Sequence, residues 1–207
     1  MKREITVIDY GMGNIYSVVS AIRYLDCEAI VSCDPDFIRT SSRLLLPGVG
    51  SFRKAMESLT ALGLDGAIIE AVKDRGKLIL GICLGMQLLG EQSTEDGLTN
   101  GLNFIPAQVD SFSTEEVGQR KVPHVGFDQV LSTPDTILFQ NISSASDFYF
   151  AHSYKMNPAN LKGKSAICNY GIDFLAAYEQ DNIFATQFHP EKSQTNGLLL
   201  LKNFLSI

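Results

Sequence analysis

The sequence predicts an α/β protein with a mostly parallel sheet, helices on both of its faces, and an antiparallel β extension in the C-terminal half. Three observations predict it. The apolar runs of the first half are continuous and not alternating, as strands buried on both faces require. Those runs alternate with stretches of helical spacing, the order of a parallel sheet with crossover helices. From about Ala107 the pattern changes to short strands separated by polar turns.

The elements follow in order. Glu4 to Tyr10 is a β-branched strand, and Gly11-Met12-Gly13-Asn14 turns it into a helix from Ile15 to Leu25 with apolar residues at 15, 18, 19, 22 and 25. Cys27 to Ser32 and Ser42 to Leu46 are the second and third strands. The third ends at Pro47-Gly48-Val49-Gly50, and a helix follows from Ser51. Leu62 to Lys73 is an amphipathic helix closed near Gly76, and Lys77 to Ile82 is the fourth strand. The later strands are AQVDSF, FDQVL, FYFAHSYKM, KSAICNY, FLAAYEQ and IFATQF, read as hairpins with turns at Asn169-Tyr170-Gly171 and Gln180-Asp181-Asn182. A last helix, Thr195 to Leu205, is expected to return to the core through Leu198, Leu199 and Phe204.

The 207 residues are 45% hydrophobic, enough for one full core, and show no internal repeat or low-complexity linker, so residues 1–207 are expected to form a single domain. A formal charge of -6 without clustered Lys and Arg argues against a nucleic-acid partner. The start has no long apolar stretch or small-residue cleavage site, and the longest apolar run, Leu78 to Gly90, contains Gln87 and is too short for a bilayer. A cytoplasmic protein without membrane contact is expected. The four cysteines form no C-x-x-C pair and have no metal-like spacing with the three histidines, so free thiols and no metal site are expected.

The chemistry concentrates at Gly81-Ile82-Cys83-Leu84-Gly85, between an apolar strand and a helical pattern. A nucleophile flanked by glycines on a sharp strand-to-helix turn is presented at the carboxyl edge of the sheet, where α/β folds place their sites. Side chains at either glycine would collide with the nucleophile or its substrate. The helix starting at Leu84 would aim free N–H groups at Cys83 and favour its thiolate. An isolated G-x-C-x-G fits a small buried hydrophobe in a kinked strand equally well.

A nucleophile needs a base, and the histidines are His124, His152 and His189. His189 ends an apolar strand, and Pro190 holds it extended, which would bring Glu191 to the same side to accept its ring N–H. The alternative is a strand-end histidine beside an exposed acid. The two glycines of Pro47-Gly48-Val49-Gly50 allow backbone amides to form a second oxyanion arm beside the Leu84 N–H. Taken alone, that segment is better read as a plain turn.

Gly81-Ile82-Cys83-Leu84-Gly85-Met86-Gln87, Pro47 to Gly50 and Gln187-Phe188-His189-Pro190-Glu191-Lys192 together resemble the class I glutamine amidotransferases. Ile8 to Asn14, Lys121 to His124 and Phe150 to Tyr154 are similar to the glutaminase subunit of imidazole glycerol phosphate synthase, a histidine-pathway enzyme. The resemblance covers essentially the whole chain and implies a flavodoxin-like sheet. It also implies Cys83 as nucleophile, His189 as base and acid, Glu191 as its orienter, and Leu84, Val49 and Gly50 as the oxyanion hole. Gly50, Gln87, Glu95, Ser153 and Tyr154 fall where the family binds glutamine; Gln87, one helical turn after Cys83, would hydrogen-bond the glutamine head. No cofactor is implied. The implied partner is a (β/α)8-barrel cyclase forming a heterodimer, with Lys192 and Phe127 at the interface and activity dependent on that partner. His124 and His152, without a following acid at a useful spacing, are read as structural or interface residues.

Phe127-Asp128 stands where the histidine-pathway proteins carry Trp-Asn, and the chain has no tryptophan. That departure keeps open a paralogue supplying ammonia for bacterial surface-sugar amidation. A Cys hydrolase or an inactive binding module of the same fold is the more distant alternative. Gly163-Lys164-Ser165 has Pro158 in place of the first glycine of a phosphate loop, and Gly11-x-Gly13 has Tyr16 where a dinucleotide fingerprint needs glycine.

Overall fold

Strand β1 (Glu4–Ile8) lies at the heart of a parallel array flanked by β2 (Glu28–Ser32) and β3 (Arg43–Leu46), with β4 (Leu78–Ile82) beyond β3. In this computed structural model, which describes residues 3–158 and 161–207, the main sheet has nine strands in the order β2, β1, β3, β4, β13 (Ile183–Thr186), β12 (Asp173–Gln180), β11 (Lys164–Asn169), β8 (His124–Ser132) and β9 (Ala145–His152). Helices cover both faces because neighbouring strand residues point to opposite sides. On one face Val7, Leu45 and Leu80 pack with Val18, Val19 and Ile22 of α1 (Ile15–Tyr24) and with Leu200, Leu201 and Phe204 of α7 (Gln194–Leu205). On the other, Ile8, Leu44 and Leu46 pack with Phe52, Ala55 and Leu59 of α3 (Phe52–Ala61) and with Leu64 and Ile68 of α4 (Leu64–Ile69), which continues as a π turn over Glu70–Asp74. Burial at roughly 1.5–3 kcal/mol per large aliphatic side chain makes this two-sided apolar packing the main favourable term.

The second half departs from the expected hairpins in two places. IFATQF supplies β13 (Ile183–Thr186), which pairs parallel with β4 and antiparallel with β12 (Asp173–Gln180), so it belongs to the parallel core and marks where the sheet changes direction. FYFAHSYKM divides at Ser153: β9 (Ala145–His152) pairs with β8 (His124–Ser132) at the edge of the main sheet, whereas β10 (Tyr154–Met156) pairs with β7 (Val109–Ser111) in a separate four-stranded sheet. That small sheet also contains β5 (Gln92–Ser93) and β6 (Thr99–Asn100), two-residue strands without a readable pattern. The hairpin of β11 (Lys164–Asn169) with β12 is as expected.

Two short helices escaped the periodicity. Helix α2 (Pro35–Thr40) carries Pro at N1 and an Asp34 cap accepting from Asp36 N, and α6 (Thr114–Val117) has a full Ser113/Glu116 capping box. Of the three residues expected to anchor α7, Phe204 is fully buried; Leu198 and Leu199 are only partly so, and Leu200 and Leu201 fill the core.

Register fixes where the site lies. Leu46 of β3 is level with Gly81 of β4, and Thr186 of β13 is level with Ile82, so three parallel strands end side by side at one edge. Pro47–Gly50, Cys83 and Gln187–Glu191 all emerge there.

Candidate active site

Cys83 joins β4 to α5 (Leu84–Leu88) with φ 54° and ψ -111°. That is close to the first central position of a type II′ turn, a conformation that glycine dominates. The flanking glycines have a more specific reason than the one expected from sequence. A Cβ at Gly81 would lie 2.8 Å from the Gly85 carbonyl oxygen, and one at Gly85 would run into the Leu46 carbonyl oxygen. They make room for the α5 backbone and for β3, not for the nucleophile or substrate. The Cys83 N–H donates to Thr186 O at 2.8 Å, tying the elbow to β13. Helix α5 is one turn long, so what it offers the cysteine is its free N–H groups, above all that of Leu84, more than an extended dipole.

His189 follows β13 and is fixed through its backbone: its N–H donates to Tyr149 O at 2.8 Å and its carbonyl accepts from Ser193 Oγ at 2.6 Å. Its Nδ1 lies 2.8 Å from Glu191 Oε1, and the two side chains are 4% and 2% exposed. The pair expected from extended chain is present, but by another route. Pro190–Lys192 is a 3-10 turn, and it is this turn that swings the Glu191 carboxylate beneath the ring. His189 Nε2 and Glu191 Oε2 are buried without a hydrogen-bond partner among the described residues. A buried unmet ring nitrogen costs roughly 1–3 kcal/mol, and such an atom is expected where a reacting group is to be met. Burial pushes the His189 imidazole down, but the interactions with Cys83 and then Glu191 outweigh it and lift the pKa to about 9. The direction of the shift favours an imidazolium beside Cys83.

A cavity of about 280 Å³ opens over Cys83 and brings together Val49, Gly50, Leu84, Gln87, Glu95, Ser153 and Tyr154, the residues singled out for the oxyanion and the substrate. His189 and Glu191 lie outside it, in a crevice beside Pro47, Gly48, Val49 and Ile82. Among the described residues, neither the Val49 nor the Gly50 N–H has an acceptor, and Gly50 has φ +114°. A Cβ at Gly48 would strike the Tyr10 hydroxyl, which donates to Pro47 O at 2.8 Å and so holds the start of this segment.

Gln87 differs from expectation. It is 4% exposed, and its Nε2 donates to Tyr154 O and to Gln187 Oε1, both at 3.0 Å. Both amide protons are committed, so a ligand can meet only its carbonyl. Burial raises the Glu95 pKa, partly offset by the Phe52 N–H that Oε2 accepts at 2.8 Å. Sequence reasoning missed Gln187, whose Nε2 is 3.8 Å from Cys83 Sγ, and Tyr10. Nothing in the one-dimensional pattern separates Gln187 from an outward-facing strand residue.

His124 and His152 form a buried chain. His124 Nε2 is 3.4 Å from Asp128 Oδ2, its Nδ1 is 3.1 Å from His152 Nε2, and His152 Nδ1 is 2.8 Å from Tyr154 O. An acid does follow His124, then: in strand β8 residue 128 shares its face. Two neutral rings bring two protons to these three contacts, and the longest, to Asp128, is the one left without. Burial lowers both pKa values, to about 4 for His124 and about 3 for His152. His152 lines the cavity, so this chain buttresses the Tyr154 wall. Lys192 and Phe127 lie outside the cavity and each contacts Tyr149, the ammonium 5.7 Å from the ring centroid and the Phe127 ring edge-on at 5.5 Å. Among the described residues no helix is long and apolar enough to cross a membrane.

A cysteine on a strained elbow, an imidazole paired with a carboxylate and free backbone donors beside a cavity define a class of enzyme, and residues 6–207 match the family model described as glutamine amidotransferase class-I. The chain belongs to that family and is a glutamine amidotransferase. Its relatives narrow the match. It is 45% identical over 204 residues, 98% of this chain and 97% of the other, to imidazole glycerol phosphate synthase subunit HisH 1 of Parasynechococcus marenigrum. To subunit HisH of Geobacter sulfurreducens it is 43% identical over 204 residues, 97% of each chain. Among solved structures, PurLQS from Thermotoga maritima superposes with a TM-score of 0.73 at 18% identity, covering 100% of this chain and 99% of that one. The glutaminase domain of CTPS from Trypanosoma brucei gives 0.70 at 15% identity, covering 98% of this chain and 91% of that one. These two likenesses speak for the fold.

Proposed function

We propose that residues 1–207 act as one unit, the glutaminase subunit of an imidazole glycerol phosphate synthase, with Cys83, His189 and Glu191 as its catalytic triad. The observation that carries the chemistry is a buried His189 whose Nδ1 is held 2.8 Å from Glu191 and whose imidazole interacts with Cys83, a residue lining the cavity. The Cys83 thiolate attacks the side-chain carbonyl carbon of glutamine, and the resulting oxyanion is met by the N–H groups of Leu84 and of Val49 or Gly50. Protonated His189 delivers its proton to the amide nitrogen, the C–N bond breaks and ammonia leaves, with the acyl group now on sulfur. Neutral His189 then takes a proton from water as the hydroxide attacks the thioester, and glutamate departs as the C–S bond breaks. Each oxyanion donor is worth roughly 2.7–4 kcal/mol in such sites, so the orientation of Val49 and Gly50 sets the activity.

Glu95, Ser153, Tyr154 and the Gln87 carbonyl hold the rest of the glutamine. Ammonia released into neutral water becomes ammonium, which is not nucleophilic, so the subunit works docked to a cyclase that takes ammonia unprotonated. That partner is a (β/α)8 barrel, and Phe127 and Lys192, each in contact with Tyr149, lie on the surface that meets it. The names of the relatives favour the histidine pathway over the surface-sugar paralogue. The chain mixed with its cyclase should release glutamate from glutamine, and Cys83→Ala should abolish this while the complex still makes product from added ammonium salt. Retention of glutaminase activity by Cys83→Ala would remove the nucleophile assignment.

A further inference from the structure

Val49 and Gly50 belong to no regular element, and their N–H groups have no acceptor among the described residues. The segment hangs between two anchors. Upstream, the Tyr10 hydroxyl holds Pro47 O. Downstream, the first residues of α3 are held by two consecutive carboxylates from another part of the chain. Ser51 Oγ donates to Asp96 Oδ2 at 2.8 Å, and the Phe52 N–H donates to Glu95 Oε2 at 2.8 Å.

Both carboxylates sit at the tip of the β5–β6 hairpin. Its backbone is specialised, with Asp96 at φ +57° and Gly97 at φ +97°. A Cβ at Gly97 would strike the Arg53 guanidinium, so the tip lies tight against α3. Glu95 also lines the cavity, and its second oxygen, Oε1, has no hydrogen-bond partner among the described residues. Asp96 does not line the cavity.

We propose that the hairpin tip is a strap that sets the oxyanion arm: Asp96, through Ser51, fixes the downstream end of the Val49–Gly50 segment so that its N–H groups face the oxyanion. Asp96 and Ser51 are positioning residues that touch no reacting atom. Glu95 links the same strap to bound substrate, because one oxygen holds α3 while the other is free for the glutamine ammonium. With either tie cut, the Val49–Gly50 peptide is free to rotate about its remaining anchor, and the donor is lost without any change in the sulfur or the imidazole. This inference rests on the glutaminase reading above.

The test uses the full chain with its cyclase partner. Asp96→Ala leaves the Ser51 cap of α3 intact and should lower kcat for glutamate release by about tenfold or more, part of the 10²–10³ that one such donor is worth, with KM within about twofold. Alkylation of Cys83 by iodoacetamide, which builds no oxyanion, should keep its wild-type rate. Ser51→Ala should do the same, the double variant should be no worse than either single one, and Ser51→Thr, which keeps the hydroxyl, should restore activity. An unchanged kcat in Asp96→Ala, a parallel slowing of alkylation, a rise in KM alone or additive losses in the double variant would each overturn the strap. If Asp96→Ala fails to fold, Ser51→Ala against Ser51→Thr decides by the same readouts. A wild-type complex that releases no glutamate would instead sink the glutaminase reading itself.

Discussion

Replacing Cys83 by glycine and by alanine isolates the strain stored in the elbow. At φ 54° and ψ -111° a residue with a Cβ occupies a sparsely populated region, at a cost of about 1–3 kcal/mol. Alanine removes the sulfur but keeps the Cβ and therefore the strain. Glycine removes both, and gives back about 0.5–1 kcal/mol through the greater freedom of its unfolded chain. Glycine also forfeits the buried Cβ methyl, worth about 0.8 kcal/mol, so subtracting both losses from the strain places Cys83→Gly between about 0.8 kcal/mol less stable and roughly 1.7 kcal/mol more stable than Cys83→Ala, whereas without strain glycine is the less stable by about 1.3–1.8 kcal/mol. Both variants lose the same buried thiol, so the space left by the sulfur cancels in the comparison and only the Cβ methyl differs between them. Urea unfolding of the two variants, with equal m-values, gives the difference directly from the midpoints. A glycine variant less stable than the alanine variant by more than about 1.3 kcal/mol would refute the claim that the elbow is strained.

Glu191→Gln keeps the shape beneath His189 but removes the charge that helps lift its pKa to about 9. We expect kcat to fall by about 10²–10⁴, the range of a positioned acid–base group, with the imidazole titration moving to lower pH; a kcat within threefold of wild type contradicts the role assigned to Glu191. The buried histidines predict a pH dependence of stability with opposite signs. Burial holds His124 and His152 near 4 and 3 in the folded state, below the ordinary 6.5, so their contribution is complete above pH 6.5 and is lost as pH falls toward 4 and 3, by up to about 1.4 kcal/mol per pH unit each. His189, lifted to about 9, contributes stability that is complete below pH 6.5 and lost as pH rises toward 9. Urea midpoints between pH 7 and 5 should show a shallower slope in His124→Phe than in wild type, and an unchanged slope rules out a neutral buried His124.

What could be read in the chain depended on how local its cause was. The first four strands and helix α1 follow from runs of adjacent residues, and their boundaries fall within two residues of expectation. The elbow was legible because Gly81, Cys83 and Gly85 are neighbours in sequence. The direction of β13 was not, because IFATQF is apolar whichever neighbour it pairs with, and its parallel register with β4 is decided by a crossover of a hundred residues. Gln87 is placed beside the substrate by the family resemblance and its one-turn spacing from Cys83, but the two acceptors that take its protons, Tyr154 O and Gln187 Oε1, come from distant segments. Helix α6 was a different kind of miss: its Ser113-x-x-Glu116 box is a purely local signal, hidden by the lack of an apolar run after it.

The place of β13 in the sheet has a consequence for synthesis on the ribosome. It is the last strand to emerge, yet it lies in the middle, between β4 and β12. Until residues 183–186 leave the exit tunnel, the nascent polypeptide carries two bare strand edges of the kind that recruit other chains. One late segment both closes that vulnerable seam and supplies the backbone carbonyl that pins Cys83, so competence for chemistry and protection from self-association arrive in the same step.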